Sequence, residues 1–296
     1  MKIVVGASSF AAQSNKAIDL LLNKGVEVVK NPYGRKLTPE ETIAHLKGAD
    51  GILAGLETLD EAVLSKADSL KAITRIGIGM ENVDLDYAKS RGIKISNTPS
   101  GPTEAVAEMT VAALLSIGRQ IIPSNDDMHK GIWKKRIGFS LNGLRVLIIG
   151  YGRIGQRVGE MLKAFNADVI VYDPAKEGHT IDLLKSMLSE ADAITLHASG
   201  KDEILTAELI EAMKTGVVLL NSARGGLVCE DALYKALKTG EISHYWGDVF
   251  PQEPYNGKLL ECENAILTPH IATYSRQCRE SMETEAVLNI MKDLGI

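Results

Sequence analysis

VLIIGYGRIGQRVGEML, residues 146–162, decides how the rest of the chain is read. Four apolar residues of a buried strand run into Gly150, Gly152 and Gly155, and a helical pattern follows at once. Strand, G-x-G-x-x-G and helix in that order form the turn that cradles a dinucleotide pyrophosphate. The first glycine permits the tight turn, the second lets the backbone approach the phosphates, and the third lets the helix pack on its strand. The free N–H groups and partial positive charge of the helix N-terminus then face the anion. The next strand, DVIVYD, ends in Asp173, 18 residues beyond Gly155. A carboxylate there accepts hydrogen bonds from the adenosine ribose hydroxyls and repels a 2′-phosphate, so NAD rather than NADP is the expected cofactor. A tight strand–helix turn with no ligand is the alternative.

Working outward, short β-branched runs alternate with helical segments across the whole chain. Upstream of the loop lie KIVV (2–5), VEVV (26–29), GILAG (51–55), KAITRI (71–76) and IKIS (93–96), with amphipathic stretches at 17–23, 39–46 and 60–67. Thr38 with Glu41 three residues on reads as a capping box. Downstream of the loop strand (RVLIIG, 145–150) and of DVIVYD (168–173) come DAITLH (192–197), VVLLN (217–221), HYWGDV (244–249) and AILT (265–268), and a helix closes the chain near 275–294. Strands separated by helices imply parallel pairing with right-handed crossovers. The expected fold is α/β, with two doubly wound, Rossmann-like parallel sheets. Between them a Pro/Gly-rich turn opens a nearly all-apolar helix from about Thr103 to Gln120. Such a helix needs burial on several sides, at a domain junction, in a subunit interface or in an ordinary core.

Bulk properties narrow the function. Lys and Arg number 33 against 38 Asp and Glu, a formal net charge of −5, so neither nucleic acid nor an anionic membrane is an expected partner. The three cysteines, Cys229, Cys262 and Cys278, have neither metal-ligand spacing nor an even number for a disulfide framework. No metal site is expected. MKIVVGASSF is too short an apolar run for a signal peptide, no run approaches a membrane span, and the expected location is the cytoplasm.

Three residues lie at or just beyond strand C-termini, where open parallel sheets bind ligands. They are Arg224 after VVLLN, Glu253 in DVFPQEP and His270 in LTPHIA. Hydride transfer at a hydroxyl-bearing carbon needs a group to move a proton, and histidine titrates near neutrality. A neighbouring carboxylate orients the ring and favours its charged form, and a guanidinium grips a carboxylate with a planar fork. Each also has a structural reading: His270 capping a loop, Glu253 solvated, and Arg224 paired with Glu230 or Asp231. Gly225 and Gly226 are expected where bulkier residues would crowd the cofactor or the turn into the Glu230 helix.

GYGRIG, NSARGG, DVFPQEP and TPHIA, in this order and spacing, resemble the D-isomer-specific 2-hydroxyacid dehydrogenase family across essentially the whole chain. RIGIGMENVDL, SNTPSGPTEAVAE and RQIIPSNDDMHKGIWKK are most similar to its phosphoglycerate dehydrogenase branch. The resemblance implies a flavodoxin-like substrate domain, 1–98 with 272–296, and an NAD domain inserted at 99–271. It implies that Arg224 binds substrate carboxylate and carbonyl, that Glu253 orients His270, and that His270 is the acid/base. It extends the cofactor contacts to Gly150, Tyr151, Gly152, Arg153, Ile154, Gly155, Asp173, His197, Ala198, Ser222, Ala223, Asp248 and His270. The substrate contacts it implies are Arg75, Gly77, Ile78 and Gly79, with backbone N–H groups around Ile78 and Gly79 facing the carboxylate. For Arg75 two readings stand, a second anionic group of the substrate or a strand cap.

Three departures from the family pattern bear on function. HASG (197–200) lacks the usual proline of the adenine-side wall, Cys229 replaces a frequent acidic residue at a helix start, and AGLETLD (54–60) lacks the arginine common in phosphoglycerate enzymes. A chain ending at Ile296 is also expected to lack the C-terminal regulatory domain that many of those enzymes carry. The expected activity is therefore hydride transfer between NAD and C2 of a small 2-hydroxy or 2-oxo acid of the phosphoglycerate, hydroxypyruvate or glyoxylate type, by a homodimer. A catalytically inactive NAD-sensing corepressor on the same fold is the alternative.

Overall fold

The computed structural model describes residues 1–200 and 202–296. The chain divides into two compact units, Met1–Pro102 with Tyr274–Ile296, and Thr103–Thr273. The turn 99–102 and residues 272–273 thus fall on the other side of the boundaries expected at 98/99 and 271/272. Local bonding explains both shifts. Ser100 Oγ donates to Glu285 Oε1 of the C-terminal helix (3.1 Å), whereas the Ala272 N–H donates to Asp248 of the second unit (2.8 Å).

Unit 1 runs β1 (Lys2–Val5), α1 (Lys16–Leu22), β2 (Glu27–Val29), α2 (Pro39–Leu46), β3 (Gly51–Ala54), α3 (Glu61–Leu64), β4 (Ala72–Arg75), α4 (Leu85–Ser90) and β5 (Lys94–Asn97). The five strands are all parallel, in the order β2-β1-β3-β4-β5, the flavodoxin-like arrangement. Ile3, Val4, Ile52, Leu53, Ala72 and Ile73 on the central strands are fully enclosed, as parallel strands covered on both faces require. The capping box forms as expected: Glu41 N–H donates to Thr38 Oγ1 (3.3 Å), and Thr38 N–H donates to Glu41 Oε2 (2.9 Å). The C-terminal helix, Arg276–Leu294, packs on α1, β3, β4 and β5, burying Ala286, Val287 and Ile290.

Unit 2 opens with α5 (Pro102–Gly118) and α6 (Ile121–His129). Then follow β6 (Arg145–Ile149), α7 (Arg153–Ala164), β7 (Asp168–Tyr172), α8 (Ile181–Glu190), β8 (Ala193–Leu196), α9 (Ala207–Glu211), β9 (Val217–Asn221), α10 (Glu230–Thr239), β10 (Ile242–Gly247) and β11 (Ala265–Leu267). Its six parallel strands take the order β11-β10-β9-β8-β6-β7, so the winding reverses between β6 and β8. That reversal opens a crevice at the strand C-termini. The apolar helix ends earlier than its sequence suggests. Gln120 adopts φ 53°, and α6 leaves at 60° to α5. Ala107, Val111, Leu114 and Ile117 of α5 pack with Val146, Ile148, Val218 and Trp246, so most of its apolar surface belongs to the core of unit 2. No single helix among the described residues is long and apolar enough to cross a membrane.

Candidate active site

The glycine loop follows β6. Gly150 has φ 90°, its N–H donates to Tyr172 O (2.7 Å), and a Cβ there would lie 2.4 Å from Ala198 N. No L side chain fits that position. A Cβ on Gly155 would lie 2.1 Å from Gly150 O, so its absence lets α7 close on the loop. Gly152 differs: it is the N-cap of α7, and a Cβ there would meet nothing within 4 Å. Open space lies in front of a helix N-terminus whose first-turn N–H groups lack intrahelical partners. A pyrophosphate fits this cradle by shape and charge.

Asp173, at the end of β7, is already engaged. Its Oδ2 accepts the Tyr151 N–H (2.8 Å), its Oδ1 accepts the Ala175 N–H (3.0 Å), and its own N–H donates to His179 Nδ1 (2.8 Å). Each carboxylate oxygen keeps a lone pair for a ribose hydroxyl. His179, which the sequence reading passed over, holds this backbone from the next turn, and nothing in DPAKEGH announces that contact. At the end of β8, His197 shares a hydrogen bond with Thr195 Oγ1 through Nε2 (2.9 Å); burial pushes its pKa down to about 3, so the ring is neutral. Ser222 Oγ lies 3.3 Å from Thr110 Oγ1, and the Ala223 N–H donates to Asn221 Oδ1 (3.0 Å).

Asn221 is a second residue missed from sequence. It is fully buried at the end of an apolar strand, and its Nδ2 donates to Arg224 O (2.8 Å). A polar residue in that place needs partners, and these bonds shape the turn that carries Arg224. Arg224 is extended (φ −146°), with Nη1 donating to Ala223 O (2.7 Å). The reason for the following glycine differs from the expectation. A Cβ on Gly225 would lie 2.0 Å from the carbonyl carbon of Phe250 and 2.3 Å from Pro251 N. What it would strike is the loop bearing Glu253.

In that loop Glu253 Oε2 lies 2.8 Å from His270 Nδ1, and Glu253 Oε1 accepts the Phe250 N–H (3.1 Å). Burial alone raises the Glu253 pKa. The His270 hydrogen bond and charge, the Phe250 N–H and the Arg224 charge outweigh it and bring the pKa below the ordinary glutamate value. Unit 2 thus brings a guanidinium, a carboxylate and an imidazole under one another's influence. His270 itself has φ 54°, a conformation costly outside glycine and asparagine. Asp248, fully buried, holds it there: Oδ1 accepts from Thr268 Oγ1 (2.6 Å) and the Ile271 N–H (2.9 Å), and Oδ2 accepts the Ala272 N–H (2.8 Å). Trp246 Nε1 donates to Thr268 Oγ1 behind it (3.1 Å).

The expected substrate loop lies in unit 1, at the end of β4. Arg75 Nη1 donates to Ile76 O (2.5 Å). The Gly77 N–H donates to Thr98 Oγ1 (2.7 Å), Thr98 N–H donates back to Gly77 O (3.0 Å), and Asn97 Nδ2 donates to Ile78 O (2.8 Å). The turn through Gly79 is therefore pinned to β5, with the Ile78 side chain exposed.

A six-stranded parallel sheet, a glycine cradle at its switch point and a carboxylate–imidazole pair beyond its strand ends define a dinucleotide-dependent oxidoreductase. Comparison with known proteins makes this particular. Residues 111–272 match the family described as "D-isomer specific 2-hydroxyacid dehydrogenase, NAD binding domain". A hydroxypyruvate reductase of Thermotoga maritima is 33% identical over 299 residues, 95% of each chain. A D-3-phosphoglycerate dehydrogenase of Archaeoglobus fulgidus is 34% identical over 302 residues, 96% of this chain but 56% of that protein, so the chain spans little more than half of the latter. The crystal structure of the TT0316 protein from Thermus thermophilus superposes with a TM-score of 0.90 at 33% identity, covering 100% of this chain and 97% of that one. The chain belongs to the D-isomer specific 2-hydroxyacid dehydrogenase family. It is an NAD-dependent enzyme of that class, and the corepressor alternative finds no support among these relatives.

Proposed function

We propose that this enzyme reduces small, unphosphorylated 2-oxo acids of the hydroxypyruvate and glyoxylate type with NADH, and oxidises the corresponding D-2-hydroxy acids in reverse. The observation that carries the reading is the Glu253–His270 contact at 2.8 Å with the Arg224 charge acting on Glu253. The full-length match to a hydroxypyruvate reductase supports the substrate size.

In this mechanism the glycine loop, Asp173 and the ends of β8 and β9 hold NAD, which supplies or accepts the hydride. Arg224 grips the substrate carboxylate and polarises its C2 carbonyl. Protonated His270 gives its proton to the carbonyl oxygen during reduction and takes it from the hydroxyl during oxidation. Glu253, bonded to Nδ1, leaves Nε2 to carry that proton and stabilises the charged ring. NADH consumption with hydroxypyruvate, glyoxylate, pyruvate and phosphohydroxypyruvate tests the reading; NADH binding without turnover on any of them overturns it.

A homodimer is part of the same proposal. Trp133 is 80% exposed and Ile137 98%, and Ile121, Ile122, Met128 and Ile132 are exposed in the same segment of unit 2. An apolar surface of that extent suits a second copy of the chain. Sedimentation should give twice the chain mass, and Trp133→Glu with Ile137→Glu should give the monomer. In this reading the enzyme works in the cytoplasm with three reduced cysteines and engages neither membrane nor nucleic acid.

A further inference from the structure

Asp173 can meet a ribose only if the end of β7 stays in place, and β7 is an edge strand of the unit 2 sheet. Its ladder with β6 ends at the Ile149–Tyr172 pair. The chain then turns through residues 174–178, all of them exposed. His179 closes this turn. Its Nδ1 accepts the Asp173 N–H (2.8 Å), at the edge of the sheet where no further strand supplies an acceptor. A nitrogen that accepts carries no proton, so the imidazole hydrogen is on Nε2. The Tyr172 hydroxyl donates to His179 O (3.2 Å), and the two rings lie 5.3 Å apart at 38°. Both the ring and the backbone of His179 are thus fixed from β7. Above this support the Asp173 carboxylate accepts the Tyr151 N–H of the glycine loop (2.8 Å) and the Ala175 N–H (3.0 Å). The carboxylate bridges the phosphate loop and the turn, and the backbone beneath it rests on His179.

We propose that His179 is a positioning residue for cofactor discrimination, holding the backbone beneath Asp173 so that the carboxylate meets the adenosine ribose hydroxyls and opposes a 2′-phosphate. The inference rests on the reading of Asp173 as the ribose contact. Hydrogen-bond strength and charge repulsion both depend on where that carboxylate stands. With the acceptor gone, NADH gives up well-aligned ribose bonds, whereas NADPH is relieved of a repulsion. The two cofactors therefore respond unequally, which a general loosening of unit 2 would not produce. His179 acts through Asp173 and touches neither cofactor nor substrate in this account.

The test titrates NADH and NADPH by fluorescence into wild type, His179→Phe and His179→Asn. Phenylalanine keeps a ring beside Tyr172 and has no acceptor. Asparagine carries Oδ1 the same number of bonds from Cα as Nδ1, so it keeps one. His179→Phe should raise the Kd for NADH about three- to tenfold, the scale of one lost hydrogen bond, and that for NADPH by less than about twofold. His179→Asn should stay within about twofold of wild type for both. In an Asp173→Ala background, His179→Phe should add nothing. Unchanged NADH affinity in folded His179→Phe, an equal loss for both cofactors, an asparagine variant as weak as the phenylalanine one, or a full further loss on top of Asp173→Ala each overturns the proposal. If Asp173→Ala binds NADH as wild type does, the ribose reading itself has failed and the inference falls with it. An effect of Asp173→Ala without one of His179→Phe overturns the role of His179 alone. Where the variants do not fold, nitrogen NMR of the wild-type NADH complex decides. A coupling across the Asp173 N–H···Nδ1 bond sustains the proposal, and its absence overturns it.

Discussion

His270 Nδ1 stands 2.8 Å from Glu253 Oε2, although the two residues lie on separate loops, after β10 and after β11. Arg224 and the His270 bond together hold Glu253 ionised against its burial. An ionised Glu253 favours the protonated imidazole, the form that reduction consumes. Glu253→Gln removes that preference, so the falling limb of the reduction rate should move to lower pH while the oxidation profile gains activity there. His270→Asn should lower turnover by roughly 10²–10⁴ with NADH binding retained. Stopped-flow pH profiles and NADH fluorescence titration check the pair, and an unmoved profile in Glu253→Gln would remove Glu253 from the proton path.

Asp173 combines two duties that variants can separate. Asp173→Asn keeps an acceptor for the Tyr151 N–H at the Oδ2 position and loses the charge. It should narrow the preference for NADH over NADPH, a difference of roughly 1–3 kcal/mol for a carboxylate facing a 2′-phosphate. Asp173→Ala should also lower Tm, because the Tyr151 and Ala175 N–H groups lose their acceptor. Equal kcat/KM with both cofactors in the wild type would contradict the role.

Arg224→Lys keeps a positive charge and loses the planar fork. Raised KM for oxo acid and lower kcat are expected, together roughly 2–5 kcal/mol of transition-state stabilisation, with NADH affinity nearly intact. A purely structural Arg224 would instead show a lower Tm and normal kinetics in the folded fraction. Gly225→Ala should mimic the loss indirectly: its methyl would strike the Phe250–Pro251 peptide and displace Glu253. Near-wild-type kcat/KM in both variants would refute the account of this turn.

Asp248 should matter through His270. Asp248→Ala orphans the buried Ala272 N–H, the half-buried Ile271 N–H and the Thr268 hydroxyl, at most about 1–3 kcal/mol for each group left unsatisfied. Hydrogen exchange at Ile271 and Ala272 should accelerate and kcat should fall, while NADH still binds. Unchanged exchange at those two amides would show that other contacts hold the loop.

Local chemistry made much of this protein legible before any coordinates. Short, continuous apolar runs reported the strands, because a parallel strand covered on both faces must be apolar on both. Thr38 and Glu41 reported a helix start, because a capping box is made within four residues. Gly150 and Gly155 reported a turn that only glycine can make. The candidate residues Arg224, Glu253 and His270 were visible as polar residues following strand ends. Contacts between distant segments were not. Gly225 is glycine because of Phe250, Gly6 because of Glu57, and His270 keeps its left-handed backbone because of Asp248; each partner lies roughly 20 to 50 residues away along the chain. Burial was equally hidden. Nothing within AGLETLD marks Glu57 as buried, and only the approach of the chain after β1, at Gly6, encloses it. The apolar stretch 103–120 reads as one helix, and only tertiary packing ends it at Gly118, because the turn at Gln120 separates a segment packed in the core from one that faces solvent. Propensity and periodicity are local quantities. Desolvation, charge pairing and close approach depend on which segments the fold brings together.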